Sequence, residues 1–466
     1  MSNETAVKQD GFKSKWGFIM ACIGSAVGMA NIWRFPAMVS KYGGLTFLIP
    51  YFIFVVLIGI SGVMEEFSLG RWGGAGPVGS FGKATEERTG NRKIGEVIGA
   101  LPVIGSMGLA IGYSVVLGWI FKYTWMALSG GLYAMGQDMA TIGGTFGAAA
   151  PETQTLGEGV SMMLENGIFG VGNGVWIIVC IIVSVIIMSM GIAGGIEKSC
   201  KVMIPALFGL FLVLAVYIAT LPGAMDGYKY IFSLNPAGLL NIEVWIFAFG
   251  QAFFSLSVAG NGSVIYGSYL SKDVEISSSA RNVAVFDTLA ALVAMIVIIP
   301  AMATTGAQLD ASGPGLMFVY LPNVFNGMGT MGRFVGIFFF VAVLFAGTSS
   351  IINLYETPVA FMQEKLKLAR IPAVIVIHVI GLAVALLIQP WTSQWMDMVS
   401  IYICPFGAAL AGVMFFWVMK KQTALDAVNQ VSAKKIGNWF HPFGKYVYVP
   451  LCIIALVAGA YYGGIG

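Results

Sequence analysis

Trp16-Gly-Phe-Ile-Met-Ala-Cys-Ile-Gly-Ser-Ala-Val-Gly-Met-Ala-Asn-Ile-Trp-Arg-Phe-Pro36 begins as an apolar helix and then stops reading as one. Gly24, Gly28, Asn31, Arg34 and Pro36 crowd its second half, where lipid tolerates little polarity. A helix of this composition is expected to break. Backbone left unpaired at membrane depth survives only where protein buries it or a cavity runs beside it, so the break predicts a site that uses free carbonyls and amides. A Gly-rich packing face with a surface arginine is the plainer alternative.

The remaining sequence agrees with a membrane setting. Of 466 residues, 58% are hydrophobic and only 10% charged, where a soluble chain carries about a quarter charged. The net charge of +3 leaves no nucleic-acid footprint. The cysteines at 22, 180, 200, 404 and 452 lie in or at the ends of apolar segments without metal-ligand spacing, and no disulfide is expected. Met1 to Asp10 is polar and precedes no cleavable hydrophobic leader, so the amino terminus is expected to stay.

Stretches able to cross about 30 Å of hydrocarbon read at 15–39, 44–72, 94–127, 174–193, 199–221, 243–270, 281–304, 332–364, 371–389, 393–420 and 446–463. That predicts an all-α polytopic protein of about eleven spans. Of 25 Lys and Arg, 20 fall on one side, while 128–173 and 305–331 contain neither residue. The positive-inside rule then places the amino terminus in the cytoplasm and the carboxyl terminus outside, in a cell inner (plasma) membrane.

A second interruption falls in Phe247-Ala-Phe-Gly-Gln-Ala-Phe-Phe-Ser-Leu-Ser-Val-Ala-Gly-Asn-Gly-Ser263, about five spans after the first. Two interrupted spans at matching places in two halves point to an inverted-repeat transporter. The expected organisation is a single transporter domain over 1–466, with 15–221 and 243–420 as five-helix repeats and 446–463 appended.

These segments closely resemble the neurotransmitter:sodium symporters of the LeuT fold. The resemblance is carried by Gly24-Ser-Ala-Val-Gly28, Asn31-Ile-Trp-Arg-Phe-Pro36, Gly43-Gly44, Ile49-Pro-Tyr51, Glu66, Gly70-Arg71, Tyr113, Gln251 to Ser257, Tyr266, Ser268-Tyr269 and Gly347-Thr-Ser-Ser350. It implies a 5+5 inverted repeat with broken helices 1 and 6, and sodium-coupled symport of an amino acid or amino-acid-like solute. Taurine, GABA or betaine type substrates are the alternative within that class.

By this resemblance one sodium ion is held by the Ala26 carbonyl, Asn31, Ser255 and Asp287 together with the substrate carboxylate. A second takes carbonyls of Gly24, Val27 and Phe345 with the hydroxyls of Thr348 and Ser349, although Ala346-Gly-Thr-Ser is one residue shorter than the common family spacing. Hard cations of this kind need several oxygens. The substrate's anionic end is expected over the free amides near Gly28 and against Tyr113. The pocket is expected from Ala26, Leu109, Phe254, Ser257, Gly260, Ser350 and Asn353. Val258-Ala-Gly-Asn-Gly262 departs from the family, so either Gly260 or Asn261 stands where a bulky aromatic is usual.

Arg34 and Asp397 match the outer gate, and Lys8 and Glu364 the inner one, where the usual Arg and Trp are Gln9 and Phe12. Chloride is not expected. The anion's ligands would correspond to Tyr51, Gln251 and Ser255, but Ala291 replaces the serine and Asp287 replaces a neutral Asn, supplying the negative charge itself. Glu356 is an intramembrane carboxylate without an assigned role. Two histidines, no HExxH and no GxSxG argue against an enzyme. A passive channel also uses broken helices and remains the other alternative.

Overall fold

In lipid every backbone polar group must be satisfied within the chain, and the computed structural model meets this demand with helices. It describes residues 11–258, 262–305, 313–432 and 434–465, and no strand occurs among them. The transmembrane elements are α1 (Lys15–Ala26), α2 (Ala30–Tyr42), α3 (Gly44–Gly73), α5 (Arg92–Ser129), α6 (Gly174–Ser189), α7 (Ile192–Ala219), α8 (Ile242–Ser255), α9 (Gly262–Ser268), α10 (Ile276–Ala303), α11 (Thr330–Leu366), α12 (Arg370–Leu387), α13 (Gln389–Val418) and α14 (Phe440–Tyr462). The helix α4 (Pro77–Thr89) connects α3 to α5. Among the described residues eight helices are long and apolar enough to cross a membrane, and α1 with α2 makes a ninth, bent span. The shorter α6 and the pair α8 and α9 occupy the two remaining expected segments.

The first break falls where the sequence places it. Ser14 caps α1 by accepting from the Gly17 N–H at 3.0 Å. The helix ends when Val27 turns to φ −71, ψ 93, and the chain resumes as α2 at an angle of 57°. Pro36 lies in the first turn of regular α-helix beyond the break, where its missing N–H costs little. In the second broken span α8 ends at Ser255, and Ser257 takes a positive φ of 56. Residues 259–261, which include the expected pocket positions Gly260 and Asn261, lie outside the described residues, as does Lys8.

The long helices α5 and α11 pack along one another, and α1 lies between α7, α10 and α11. The helix α9 is pressed onto the second half of α3. This contact needs small residues: a Cβ on Gly70 would sit 1.9 Å from the Val264 carbonyl oxygen, and one on Gly267 would sit 2.6 Å from that of Phe67. Backbone cannot yield as a flexible side chain can, so Gly70→Ala should destabilise the protein by about 1–3 kcal/mol. A clear drop in the thermal midpoint of the purified variant, against no drop for Gly209→Ala on the exposed face of α7, where a Cβ meets open space, is the expected result.

Candidate functional site

The two interrupted spans meet α10 at one buried carboxylate. Asp287 is fully buried. Asn31 Nδ2 donates to Asp287 Oδ1 at 2.8 Å and to Ser255 Oγ at 3.1 Å, and the Ser255 hydroxyl donates to Asp287 Oδ2 at 2.6 Å. Asn31 also accepts from the Gly28 N–H through Oδ1 at 3.1 Å, which joins this triangle to the first break. Three of the residues expected around one cation therefore converge. No Lys, Arg or His pairs with Asp287 among the described residues, so two neutral donors are its partners. A buried carboxylate left with a full negative charge costs several kcal/mol, which makes this triangle a place where a cation is favoured.

The break itself is held open by two hydroxyls. The Met29 N–H donates to Tyr113 Oη at 3.0 Å. Ser350 Oγ lies 3.2 Å from the carbonyl oxygens of both Gly24 and Val27. A Cβ on Gly28 would come within 3.0 Å of Tyr113 Oη and 3.4 Å of Ser350 Oγ, so both groups close on that glycine. Ser349 packs against Gly24, where a Cβ would lie 2.8 Å from that of Ser349, but its hydroxyl donates back to Ala346 O at 2.9 Å. Thr348 is buried and Phe345 half-buried on the same helix. The hydroxyl that faces both carbonyls is thus that of Ser350, read from sequence as a pocket residue, rather than that of its neighbour Ser349.

A cavity of about 360 Å³ opens above the first break. It is lined by Ala26, Gly28, Leu109, Tyr113, Phe254, Ser257, Ser350 and Asn353, which are the expected substrate residues within the described chain. Ser257 fixes the start of the second break, donating to Ser25 O at 2.8 Å. Toward the mouth the wall includes Arg34 and Asp397, and Asp397 is exposed. These two charges share the cavity without forming an ion pair within 4 Å, and Arg34 Nε has no hydrogen-bond partner. The two residues expected to form the outer gate thus stand apart in this conformation.

The opposite end is closed by contacts the sequence does not announce. Phe12 packs edge-on against Phe18, Tyr266 and Tyr269. Glu197 accepts from the Lys13 N–H at 2.7 Å and the Ser14 hydroxyl at 2.8 Å, and pairs with Lys201, anchoring the start of α1. Glu356 forms a two-pronged pair with Arg370 at 2.9 and 2.8 Å and accepts from Tyr269 Oη at 2.7 Å. Its charge in an apolar span is the one signal that could have pointed there. Glu364 accepts from the Gly76 N–H at 2.7 Å, so this expected gate residue is engaged at the start of α4.

The sequence matches the profile of the Sodium:neurotransmitter symporter family over residues 9–136 and 149–462. An uncharacterized sodium-dependent transporter of Methanocaldococcus jannaschii is 30% identical, over 97% of this chain and 90% of its own length. Another from Bacillus subtilis is 30% identical over 95% of each chain. The crystal structure of MhsT in complex with L-phenylalanine superposes with a TM-score of 0.79 at 29% identity, covering 97% of this chain and 99% of that one.

Arg34 and Arg370, both half-buried, should respond differently to removal. Arg370→Ala strands the Glu356 carboxylate, a loss of about 3–5 kcal/mol, whereas Arg34→Ala breaks no ion pair in this conformation. Thermal unfolding of the two purified variants should show a large drop for Arg370→Ala and little or none for Arg34→Ala.

Proposed function

Because this chain belongs to the sodium:neurotransmitter symporter family, whose members are sodium-coupled transporters and not enzymes, we propose that it imports an amino acid or amino-acid-like solute by alternating access. It is a multi-pass membrane protein with the LeuT fold. The observation that carries the reading is the Asn31, Ser255 and Asp287 triangle, which joins both broken helices around an uncompensated carboxylate.

In this reading one sodium ion enters the triangle and displaces the hydrogen bonds among its members. The Ala26 carbonyl, facing the same cavity, and the substrate carboxylate complete the shell. That carboxylate lies over the Gly28 and Met29 amides and takes the Tyr113 hydroxyl, which points at this spot already. A second sodium ion sits between the Gly24 and Val27 carbonyls with a hydroxyl from α11. Ser350 is the hydroxyl in position, with Thr348, Ser349 and the Phe345 carbonyl on the same stretch of helix. Asn353 and Ser257 give the side-chain end polar contacts, which suits a polar amino acid. A taurine, GABA or betaine type solute is the other reading that such polar lining favours. The repeats 15–221 and 243–420 rock against one another, and Arg34 closes on Asp397 once substrate is bound. The amino terminus is cytoplasmic, as the Lys and Arg distribution favours.

Chloride is not required. Ser255 already gives its hydroxyl to Asp287, and the fixed carboxylate supplies the charge a bound anion would otherwise bring. Ala291 offers no hydroxyl in its place.

Purified protein in proteoliposomes should take up labelled solute when sodium is outside, and not when potassium or choline replaces it. Equal uptake in potassium would overturn the reading. Replacing chloride by gluconate at constant sodium should leave uptake unchanged, and a collapse would refute the role given to Asp287. Arg34→Ala should lower uptake at least about tenfold although it leaves the fold intact.

A further inference from the structure

Two carboxyl groups that the proposed transport cycle does not use lie side by side on α3. Glu65 and Glu66 are both fully buried, and none of their four carboxylate oxygens makes a hydrogen bond of normal geometry among the described residues, with Ser263 at the start of α9 as the polar neighbour of Glu66. No Lys, Arg or His forms an ion pair with either. The nearest cation along the helix, Arg71, directs its guanidinium at the carbonyls of Val274 and Ala427.

A second group points at the same place. Tyr448 of α14 is fully buried and its hydroxyl makes no hydrogen bond of normal geometry, with Cys452 one turn further on as its polar neighbour. It lies over Gly62, where a Cβ would come within 2.7 Å of that hydroxyl. Gly62 is one helical turn before Glu65 and Glu66, so the phenol lies along the face that carries them. The elements packed against this stretch are α4, α9, α10, α13, α14 and the helix Lys421–Asn429. The titratable groups from them that face the pair are Tyr448 and Cys452, and both are uncharged at neutral pH.

Two adjacent carboxylates cannot both stay ionised in a dry, cation-free setting, because each is desolvated and each repels the other. We propose that Glu65 and Glu66 form an intramembrane proton site, holding at least one proton between them with the Tyr448 hydroxyl as a further hydrogen-bonding partner. A protonated carboxyl is an uncharged O–H donor that no longer repels the charge of its neighbour. Loss of the proton leaves two repelling charges on the face of α3 beside Ser263 and the tightly packed α9. Because α9 is half of a broken helix, deprotonation loosens a contact the transport cycle needs, and uptake falls as pH rises.

Infrared spectroscopy of the purified full-length protein in sodium tests the proton directly. At neutral pH the carbonyl stretching band of a protonated carboxylic acid should be present, and should shift when the protein is labelled with carbon-13 glutamate. Of the other largely buried glutamates on membrane helices, Glu197 and Glu356 are ion-paired and Glu364 accepts from the Gly76 N–H, so the band should persist in E364Q and vanish in E65Q/E66Q. A band that ignores the glutamate label, or survives in the double variant, overturns the proposal, and the label keeps the test decisive should the variant fail to fold. The transport arm rests on the proposed sodium-coupled uptake, whereas the infrared arm does not, so the two failures are distinguishable. Uptake by the unaltered protein should fall several-fold as pH rises above neutrality, and E65Q should flatten that profile because one carboxyl alone meets no like charge. An equal fall in E65Q contradicts the coupling to transport.

Discussion

A carboxylate without a cation organises this protein. Asp287 sits fully buried, and its neighbours are an amide from one broken helix and a hydroxyl from the other. Hydrogen bonds to neutral donors ease a buried charge but do not cancel it, so the site has a standing preference for a positive ion. The breaks in α1–α2 and α8–α9 follow from the same requirement. Continuous helices would spend their carbonyls and amides internally, whereas here the Gly24 and Val27 carbonyls face Ser350 and the Met29 amide faces Tyr113.

The two ends of the cavity differ in kind, and the difference bears on how the cycle runs. At the mouth Arg34 and Asp397 face each other across open space. At the other end Phe12, Glu197 with Lys201, and Glu356 with Arg370 form packed and paired contacts. Closing the first end gains one ion pair. In the proposed cycle, opening the second would break several packed and paired contacts, so the switch would need the differential binding of ions and substrate in one state over the other.

Much of this is legible in the sequence. Gly24, Gly28 and Pro36 within an apolar run locate the first break, because lipid leaves a chain of that composition no other use. The family motifs then bring the expected pocket residues Leu109, Tyr113, Phe254 and Asn353 to one cavity. What is not legible depends on rotamers and on distance along the chain. Ser349 and Ser350 are equivalent as letters, and only the helix phase of α11 turns the second toward the two carbonyls. One partner of Glu197 is the Lys13 amide, 184 residues away. The separation of Arg34 from Asp397 is a property of one conformation, and no sequence carries that.

Sodium-dependent thermal stabilisation of the purified protein tests the central claim most directly, comparing the unaltered chain with Asp287→Asn in sodium and in potassium at equal ionic strength. If the carboxylate is the cation's anchor, sodium raises the unfolding midpoint of the unaltered protein and potassium does not. The Asp287→Asn protein should then need about tenfold or more sodium for the same shift, since a ligand stabilises only in proportion to its affinity for the folded state. An identical sodium response in Asp287→Asn would contradict the account.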